Sequence, residues 1–276
     1  MPITQAEKAA RFQALHERPG AFVIPNPWDA GTAKILAHLG FEALTTTSAG
    51  LAFSLGRSDG ARAVTRADTL ENARQIVEAT DLPVAADLEN GYGDSPEAAA
   101  ETIRLAGEAG LVGGSIEDAT GDPDGPIYCF EHAVARVAAA VEAARSFPFR
   151  FMLVGRAENF LHGRPDLDDT IRRLQAFESA GADVLYAPGL NTEEQIRAVC
   201  AAVKKPVNVV MGLRSARFSV SELAAMGVKR ISVGSTLSRA ALGAFIRAAQ
   251  EMRDHGTFDF AELAPPYAEL NALFGR

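Results

Sequence analysis

The sequence has few cysteines and lacks the long apolar or basic runs that define several protein classes. Cys129 and Cys200 are its only cysteines in 276 residues, and no C-x-x-C motif occurs, which argues for reduced thiols rather than a disulfide scaffold. No apolar stretch reaches the roughly 18 residues of a membrane-spanning helix. The amino terminus lacks the charged and apolar regions of a signal peptide. We therefore expect a cytoplasmic protein without membrane partners.

Other absences exclude further classes. The chain carries 27 basic against 35 acidic residues, a net charge of −8, with no basic cluster interleaved with aromatics, so nucleic acid is a disfavoured partner. No G-x-S-x-G elbow of a serine hydrolase is present. The histidines show no zinc-site spacing, and we expect packing or surface roles for them; they are His16, His38, His132, His162 and His255.

A recurring unit indicates the fold. Alanine-rich helical stretches end at Gly40, Gly110, Gly181 and Gly227, and an apolar run follows each glycine within a few residues. Glycine past a helix end supplies a left-handed cap before a parallel strand. The predicted strands are residues 22–26, 43–47, 84–87, 114–118, 151–156, 184–186, 207–211 and 230–234.

Eight such strands alternating with helices predict an α/β fold, a (β/α)8 TIM-type barrel. A doubly wound sheet would show G-x-G-x-x-G after its first strand, and residues 26–31 do not. We expect a single domain over residues 1–276 with extra helices from about residue 236. Capping-box spacing predicts helix starts at Thr4, Thr65, Asn191 and Ser219.

Residues 84–93 form the stretch around which the rest is organised. A short apolar run reads as a buried strand and then presents Asp87 and Glu89 before a glycine-flanked turn. Alternation along a strand predicts that both acids project to the same side. Two buried acids are costly unless a cation meets them, and a hard divalent ion that retains water is the natural partner.

Polar residues recur where the predicted strands end, which is the catalytic face of such a barrel. Taken singly, each is an ordinary polar loop residue; converging on one mouth, they indicate a site. Arg156 has the planar fork that grips a carboxylate or phosphate, and Asp87, Glu89 and Glu117 suit magnesium or manganese. The set is Asn26, residues 45–48, Asp87, Glu89, Glu117, Asp118, Arg156, Glu158, Tyr186, Asn208 and Ser232.

Two residues have open assignments. Trp28 follows the first strand, where it either packs against the next helix or lines the mouth. Asn208 lies within a strand and is either a satisfied core group or a contact at the rim.

The sequence resembles the phosphoenolpyruvate mutase/isocitrate lyase superfamily over nearly its whole length. Glu89 stands where the family usually has aspartate, so the charge is kept on a longer side chain. The motifs that carry the resemblance are residues 25–30, Ser48-Ala49-Gly50, residues 54–56 with Asp59, D-x-E-x-G-Y-G at 87–93, residues 116–118 and Gly155-Arg156.

The resemblance implies a ligand set and a mechanism. Asp59, Asp87, Glu89 and Glu117 would hold Mg2+, with Mn2+ as an alternative, directly or through water. Ser48, Ala49 and Gly50 would grip the 2-oxo acid end of a substrate, and Arg156 would bind its carboxylate.

Catalytic roles are then expected for Arg156, Glu117 and Asp59, and substrate contacts for Trp28, Tyr186 and Asn208. The family also implies a homo-oligomer, a dimer or tetramer in which the helix from Thr236 packs on or swaps with a neighbour.

The loop at residues 119–128 departs from the family. It lacks the cysteine, lysine and histidine of isocitrate-type lyases and the lysine and asparagine of the mutase, so both activities are disfavoured. We expect a Mg2+-dependent lyase or decarboxylase that cleaves a bond at C3 of a small 2-oxo acid or dicarboxylate through an enolate. The alternatives are a phosphonate hydrolase or mutase and a 2-oxo acid binding protein.

The candidate proton donors are Tyr186, Glu158, Asp122 and Asp124. Cys129 is expected to be a small buried apolar residue. Residues 234–236 open the last barrel helix, where a simple N-cap is preferred over a phosphate site.

Overall fold

A computed structural model describes residues 3–60, 63–212 and 217–275, and its frame is a parallel sheet. Each predicted strand is present, although several end earlier because the last residues leave the ladder to form loops. In the described residues the strands are β1 (Phe22–Val23), β2 (Leu44–Thr45), β3 (Val84–Asp87), β4 (Gly113–Glu117), β5 (Met152–Arg156), β6 (Val184–Tyr186), β7 (Val207–Val210) and β8 (Arg230–Ser232).

Helices alternate with these strands, and two further helical segments follow the barrel. A 3-10 helix spans Asp259–Leu263. The α-helices of the described residues are α1 (Gln5–Glu17), α2 (Ala30–His38), α3 (Ser48–Ser54), α4 (Arg66–Glu78), α5 (Pro96–Glu108), α6 (Phe130–Arg145), α7 (Leu167–Ser179), α8 (Glu193–Ala202), α9 (Val220–Ala225), α10 (Thr236–His255) and α11 (Tyr267–Phe274).

The strand order is that of a TIM-type fold. Each strand from β2 to β8 pairs in parallel with its neighbours in sequence, and β1 pairs with β8. Across the seam between β1 and β2, the Thr45 N–H donates to the Pro25 carbonyl at 3.1 Å. The Asn26 Nδ2 atom also donates to the Thr46 carbonyl at 2.9 Å. The predicted eight-stranded α/β architecture is therefore confirmed.

The predicted helix ends are confirmed at the glycines. Gly40, Gly110, Gly181 and Gly227 all have φ between 85° and 103°, the left-handed region that side chains with a Cβ avoid. At Gly110 an added Cβ would also lie 2.8 Å from the Val77 Cγ1 atom.

Three of the four predicted capping boxes are confirmed, at Thr4, Thr65 and Ser219. The prediction at Asn191 is wrong by one residue, since Thr192 is the N-cap of α8. Its side chain accepts the Gln195 N–H, and the Gln195 side chain accepts the N–H groups of both Thr192 and Asn191. Both residues are good cap formers, so sequence spacing alone did not separate them.

The interior of the barrel divides into an apolar floor and a polar upper part. Phe12 of α1 is fully buried and packs with Phe22, Val154 and Val184 at the amino-terminal end of the strands. A second, larger apolar core lies between the sheet and the outer helices. The space above the floor is polar, which places the site at the carboxyl ends of the strands.

The carboxyl-terminal helices confirm the predicted extension. Helix α11 returns to α2, where the Lys34 Nζ atom donates to the Phe274 carbonyl at 3.4 Å. Helix α10 contains 20 residues, of which only Ser238 is buried. Among the described residues, no helix combines the length and apolarity that crossing a bilayer requires.

Candidate active site

A cavity of about 150 Å³ opens at the carboxyl ends of the strands. A second cavity of about 240 Å³ adjoins it, and the two share Ser48, Asp59, Arg156 and Leu161 as lining residues. Predicted site residues at the first cavity also include Ala49, Asp87, Tyr186 and Asn208, and those at the second include Glu89 and Glu117.

Arg156, the last residue of β5, is the central cation of the site. Its Nη1 atom lies 3.3 Å from Asp87 Oδ1 and 3.2 Å from Glu117 Oε2. Its Nε atom donates to Glu158 Oε1, and the guanidinium stacks over the Tyr186 ring at 5.1 Å. Three carboxylates thus share one guanidinium, so in this state its fork faces protein acids rather than an external carboxylate.

Asp87 is held from several elements at once. Its Oδ2 atom accepts the Ser48 hydroxyl at 2.7 Å and the Ser48 N–H at 3.3 Å. The Asp87 N–H donates to the Thr46 hydroxyl at 3.1 Å. Ser48 opens α3 directly after β2, so the neighbouring strands β2 and β3 bring these groups together.

The geometry proposed for Glu89 from sequence is wrong. Strand β3 ends at Asp87, and Glu89 has φ of 48°, a left-handed conformation outside any strand. Alternation along a strand therefore does not set its direction. The direction of the Glu89 side chain is set by a tight turn, in which the Gly91 N–H donates to the Leu88 carbonyl at 2.9 Å. Glu89 still faces the second cavity with Glu117 and Asp59.

The acids of the site repel one another in a buried environment. Burial, followed by the charges of Asp87 and Asp59, raises the pKa of Glu89 to about 7. Burial also raises the pKa of Glu117 well above its usual value, against the opposing charge of Arg156. The pKa of Asp59 is raised by burial and by Asp87. The charged forms of these acids are therefore disfavoured, and Arg156 alone does not offset their burial and mutual repulsion.

This donor set fits a hydrated divalent cation. Every predicted ligand is a carboxylate, the donor type that Mg2+ prefers, and a cation would offset the repulsion among these buried acids. In the part of the chain that the structure describes, no three acidic, histidine or cysteine side chains lie close enough to hold an ion directly. The arrangement suits an ion held largely through water, as proposed from the sequence.

Two predicted substrate contacts lie outside the cavities. Trp28 and Gly50 pack against each other, because a Cβ on Gly50 would lie 3.0 Å from the Trp28 Cβ atom. The Trp28 carbonyl accepts the Asn72 side-chain amide at 2.8 Å. Neither residue lines the cavities, so packing is the observed role of Trp28.

Asp118 has a structural function. It accepts the Glu158 N–H at 2.7 Å and forms an ion pair with Arg173 of α7 at 2.9 Å. Burial raises its pKa to about 6 despite these partners. Asp118 faces away from the site and fixes the backbone that carries Glu158.

The loop after β4 forms a small closed turn. Ala119 and Ile127 form an antiparallel bridge, and the Thr120 N–H donates to the Pro126 carbonyl at 3.0 Å. Asp122 and Asp124 are exposed and do not line the cavities. Cys129, expected to be buried, is exposed, because it lies at the start of α6 rather than within its packed face.

Two residues that line the cavities were not assigned to the site from the sequence. His162 was expected to have a packing or surface role, yet it lines the second cavity with its Nε2 atom 3.6 Å from Glu158 Oε2. Arg230 was not considered, and it lines the first cavity with 4% exposure. Arg230 lies at the start of a strand, so the search for polar residues at strand ends did not include it. His162 lies six residues after the end of β5, and a search extended into that loop would have included it. Ser235 lines the cavity without capping α10 through its side chain.

The fold and the site define a class of α/β enzyme with an acidic, arginine-containing mouth at the carboxyl ends of parallel strands. A family model, phosphoenolpyruvate phosphomutase, matches residues 12–253. The chain belongs to this family, within the phosphoenolpyruvate mutase/isocitrate lyase superfamily, which confirms the resemblance seen in the sequence.

Individual relatives agree with this assignment. A crystal structure of a candidate lyase/mutase from Burkholderia cenocepacia superposes with a TM-score of 0.96 at 61% identity, covering 99% of this chain and 97% of that one. An uncharacterized protein of Mycobacterium tuberculosis is 32% identical, with 95% of each chain covered. The 2,3-dimethylmalate lyase of Eubacterium barkeri is 30% identical over 79% of this chain and 77% of its own. The protein is thus an enzyme of a superfamily that contains carbon–carbon lyases.

Proposed function

We propose that this enzyme is a Mg2+-dependent lyase or decarboxylase that cleaves a bond at C3 of a small 2-oxo acid or dicarboxylate through an enolate. The observation that supports this most directly is the position of Asp87 between the Ser48 hydroxyl and Arg156, with further acids around it. Asp59, Asp87, Glu89 and Glu117 would hold the ion. Bound Mg2+ supplies the positive charge that stabilises an enolate.

The protein's own groups would orient the substrate. The N-terminal turn of α3, at Ser48 and Ala49, lines the cavity, and the N-terminal end of a helix favours an anionic oxygen. Arg156 lies beside this turn and supplies a guanidinium for the substrate carboxylate. Its present partners Asp87 and Glu117 are the acids that a bound cation would engage, which would free part of the fork.

An enolate must receive a proton, and we assign this role to His162. The imidazole lines the second cavity, and its Nε2 atom faces the buried Glu158 carboxylate. A carboxylate next to an imidazole orients the ring. His162 thus takes the place of the loop acid that residues 119–128 lack.

A substrate panel tests the proposal. Release of pyruvate from oxaloacetate or a 2-alkylmalate in the presence of Mg2+, and its loss with EDTA, is the expected result. Tight Mg2+-dependent binding of 2-oxo acids without turnover of any candidate would instead support the 2-oxo acid binding function.

A second candidate is hydrolysis or rearrangement of a phosphonate. Gly234 and Ser235 line the cavity at the start of α10, and helix N-termini bind phosphate groups. Phosphate release from phosphonopyruvate, without pyruvate release from oxaloacetate, would favour this candidate.

We also propose a homo-oligomer, a dimer or tetramer in which α10 packs on or exchanges with a neighbouring copy. Phe245 and Ile246 on α10 are 70% and 52% exposed, and Leu263 after it is 89% exposed. Phe245 and Leu263 line the same surface groove, and exposed apolar side chains that lie together mark an interaction surface.

A further inference from the structure

Arg230 is a buried cation that forms no ion pair with any carboxylate in the described part of the chain. Its Nε atom donates to Asn208 Oδ1 at 2.9 Å. Its Nη1 atom is fully buried and has no hydrogen-bond partner within the described residues. Arg156, in the same cavity, has three carboxylate partners. A buried, unpaired guanidinium is costly, so Arg230 calls for an anion.

Arg230 lies deeper in the barrel than Arg156. Strand pairing connects Arg156 to Tyr186, Tyr186 to Asn208, and Asn208 to Arg230 in one register. Three steps of about 4.8 Å between strands tilted by about 36° place Arg230 roughly 8 Å further inward. Its charge is felt by His16 of α1 at the floor, whose pKa it helps to lower after burial. Arg230 therefore forms the inner end of the cavity.

The groups around Arg230 complete an anion site. Asn208 Nδ2 donates to the Ser232 hydroxyl oxygen at 3.0 Å, which leaves the Ser232 hydrogen for another acceptor. Both residues line the cavity with Arg230 and are buried. A hydroxyl and a guanidinium that face the same cavity suit a carboxylate.

We propose that Arg230 and Ser232 bind the second carboxylate of a dicarboxylate substrate. The 2-oxo acid end would lie at Ser48 and Arg156, so this inference rests on the proposed function. The site then selects dicarboxylates over monocarboxylates of the same 2-oxo acid type. Asn208 is a positioning residue, because it contacts both binding groups.

Titration calorimetry of the Mg2+-loaded enzyme with pyruvate and with 2-oxoglutarate tests this selection. Both probes carry a 2-oxo acid end, and only 2-oxoglutarate carries a second carboxylate. A charge-assisted hydrogen bond predicts that 2-oxoglutarate binds at least about tenfold more tightly. Equal affinities would overturn the proposal.

The substitution Asn208→Asp provides a sharper test, because it places a carboxylate against the Arg230 Nε atom. We expect the preference for 2-oxoglutarate to fall to about twofold or less, as the internal anion occupies the cation. The ligand-free Tm should rise, since an unpaired charge gains a partner. Asn208→Ala is the matched comparison: it removes both side-chain contacts of Asn208 without adding a charge, leaves Arg230 unpaired, and should keep a larger preference for 2-oxoglutarate than Asn208→Asp.

Retention of the full preference in a folded Asn208→Asp enzyme would overturn the role of Arg230. If that variant does not fold, the affinities of the wild-type enzyme for pyruvate and 2-oxoglutarate test the proposal. Binding of pyruvate without preference for 2-oxoglutarate defeats this inference alone. Binding of neither probe in the presence of Mg2+ defeats the proposed function as well.

Discussion

The Ser48 hydroxyl donates to Asp87 Oδ2 at 2.7 Å, and this contact joins the start of α3 to the end of β3. The other carboxylate oxygen of Asp87 faces Arg156 at 3.3 Å. Asp87 is therefore fixed in orientation before any ligand arrives, which reduces the reorganisation that binding would require.

Replacing Asp87 with alanine should abolish Mg2+-dependent turnover and lower Mg2+ affinity by about 100-fold or more, since losing even an outer partner costs about 10- to 100-fold. Circular dichroism should show a normal fold, because the side chain lies at a cavity. Asp81→Asn, an exposed acid before β3, controls for the change in charge. Unchanged Mg2+-dependent kinetics in Asp87→Ala would refute the metal assignment.

The variant Arg156→Lys should lower kcat/KM by about tenfold or more, because an ammonium cannot reproduce a planar fork shared by three carboxylates. Steady-state kinetics on the substrate that the panel identifies provides the measurement. Arg197→Lys, in an exposed pair with Glu193, should leave the kinetics unaltered. Wild-type kinetics in Arg156→Lys would remove this residue from the site.

The variant His162→Gln should lower kcat by roughly 100-fold or more, the usual contribution of a general acid, with little change in KM. In D2O the wild-type enzyme should exchange the C3 protons of pyruvate, followed by NMR, and the variant should not. His38→Gln, an exposed histidine at the end of α2, is the control. Equal exchange rates would exclude His162 as the proton donor.

His16 should make stability fall in acid. Burial first, then the charge of Arg230, lowers its pKa from 6.5 to about 3, so the folded state keeps the ring neutral. Its contribution is complete above pH 6.5 and is lost as pH falls toward 3, because only the unfolded chain gains the proton. This amounts to about 2 kcal/mol between pH 7 and 5. Denaturant unfolding at pH 7 and at pH 5 measures this loss, and the free energy of unfolding should differ less between the two pH values in His16→Gln than in the wild type. An equal difference in both proteins would show that His16 is not the group responsible.

The exposed face of α10 should control assembly. Phe245→Glu places a charge on an apolar surface and should shift a dimer or tetramer toward smaller species in light scattering. Leu39→Glu, 66% exposed at the end of α2, should leave the mass unchanged. A monomeric wild-type protein would contradict the proposed oligomer.

The fold was largely predictable because its signals are local. Glycine after an alanine-rich helix, followed by an apolar run, depends only on backbone conformation and burial within one βα unit. The same holds for the caps at Thr4 and Ser219. The error at Asn191 arose because Asn191 and Thr192 are both good N-cap residues. The hydrogen bonds of Gln195 show that Thr192 is the N-cap.

The sequence by itself placed Asp87, Glu89 and Glu117 at the mouth, because the ends of parallel strands must converge there. The same pattern also included Asp118, which the structure turns away from the site. Only the tertiary structure decided how they face one another. Glu89 depends on a left-handed turn, and His162 depends on the path of a loop held by Asp118. Arg230 depends on strand register, which brings residues from distant parts of the chain side by side, and no pattern within a single strand reports which strand will lie next to it.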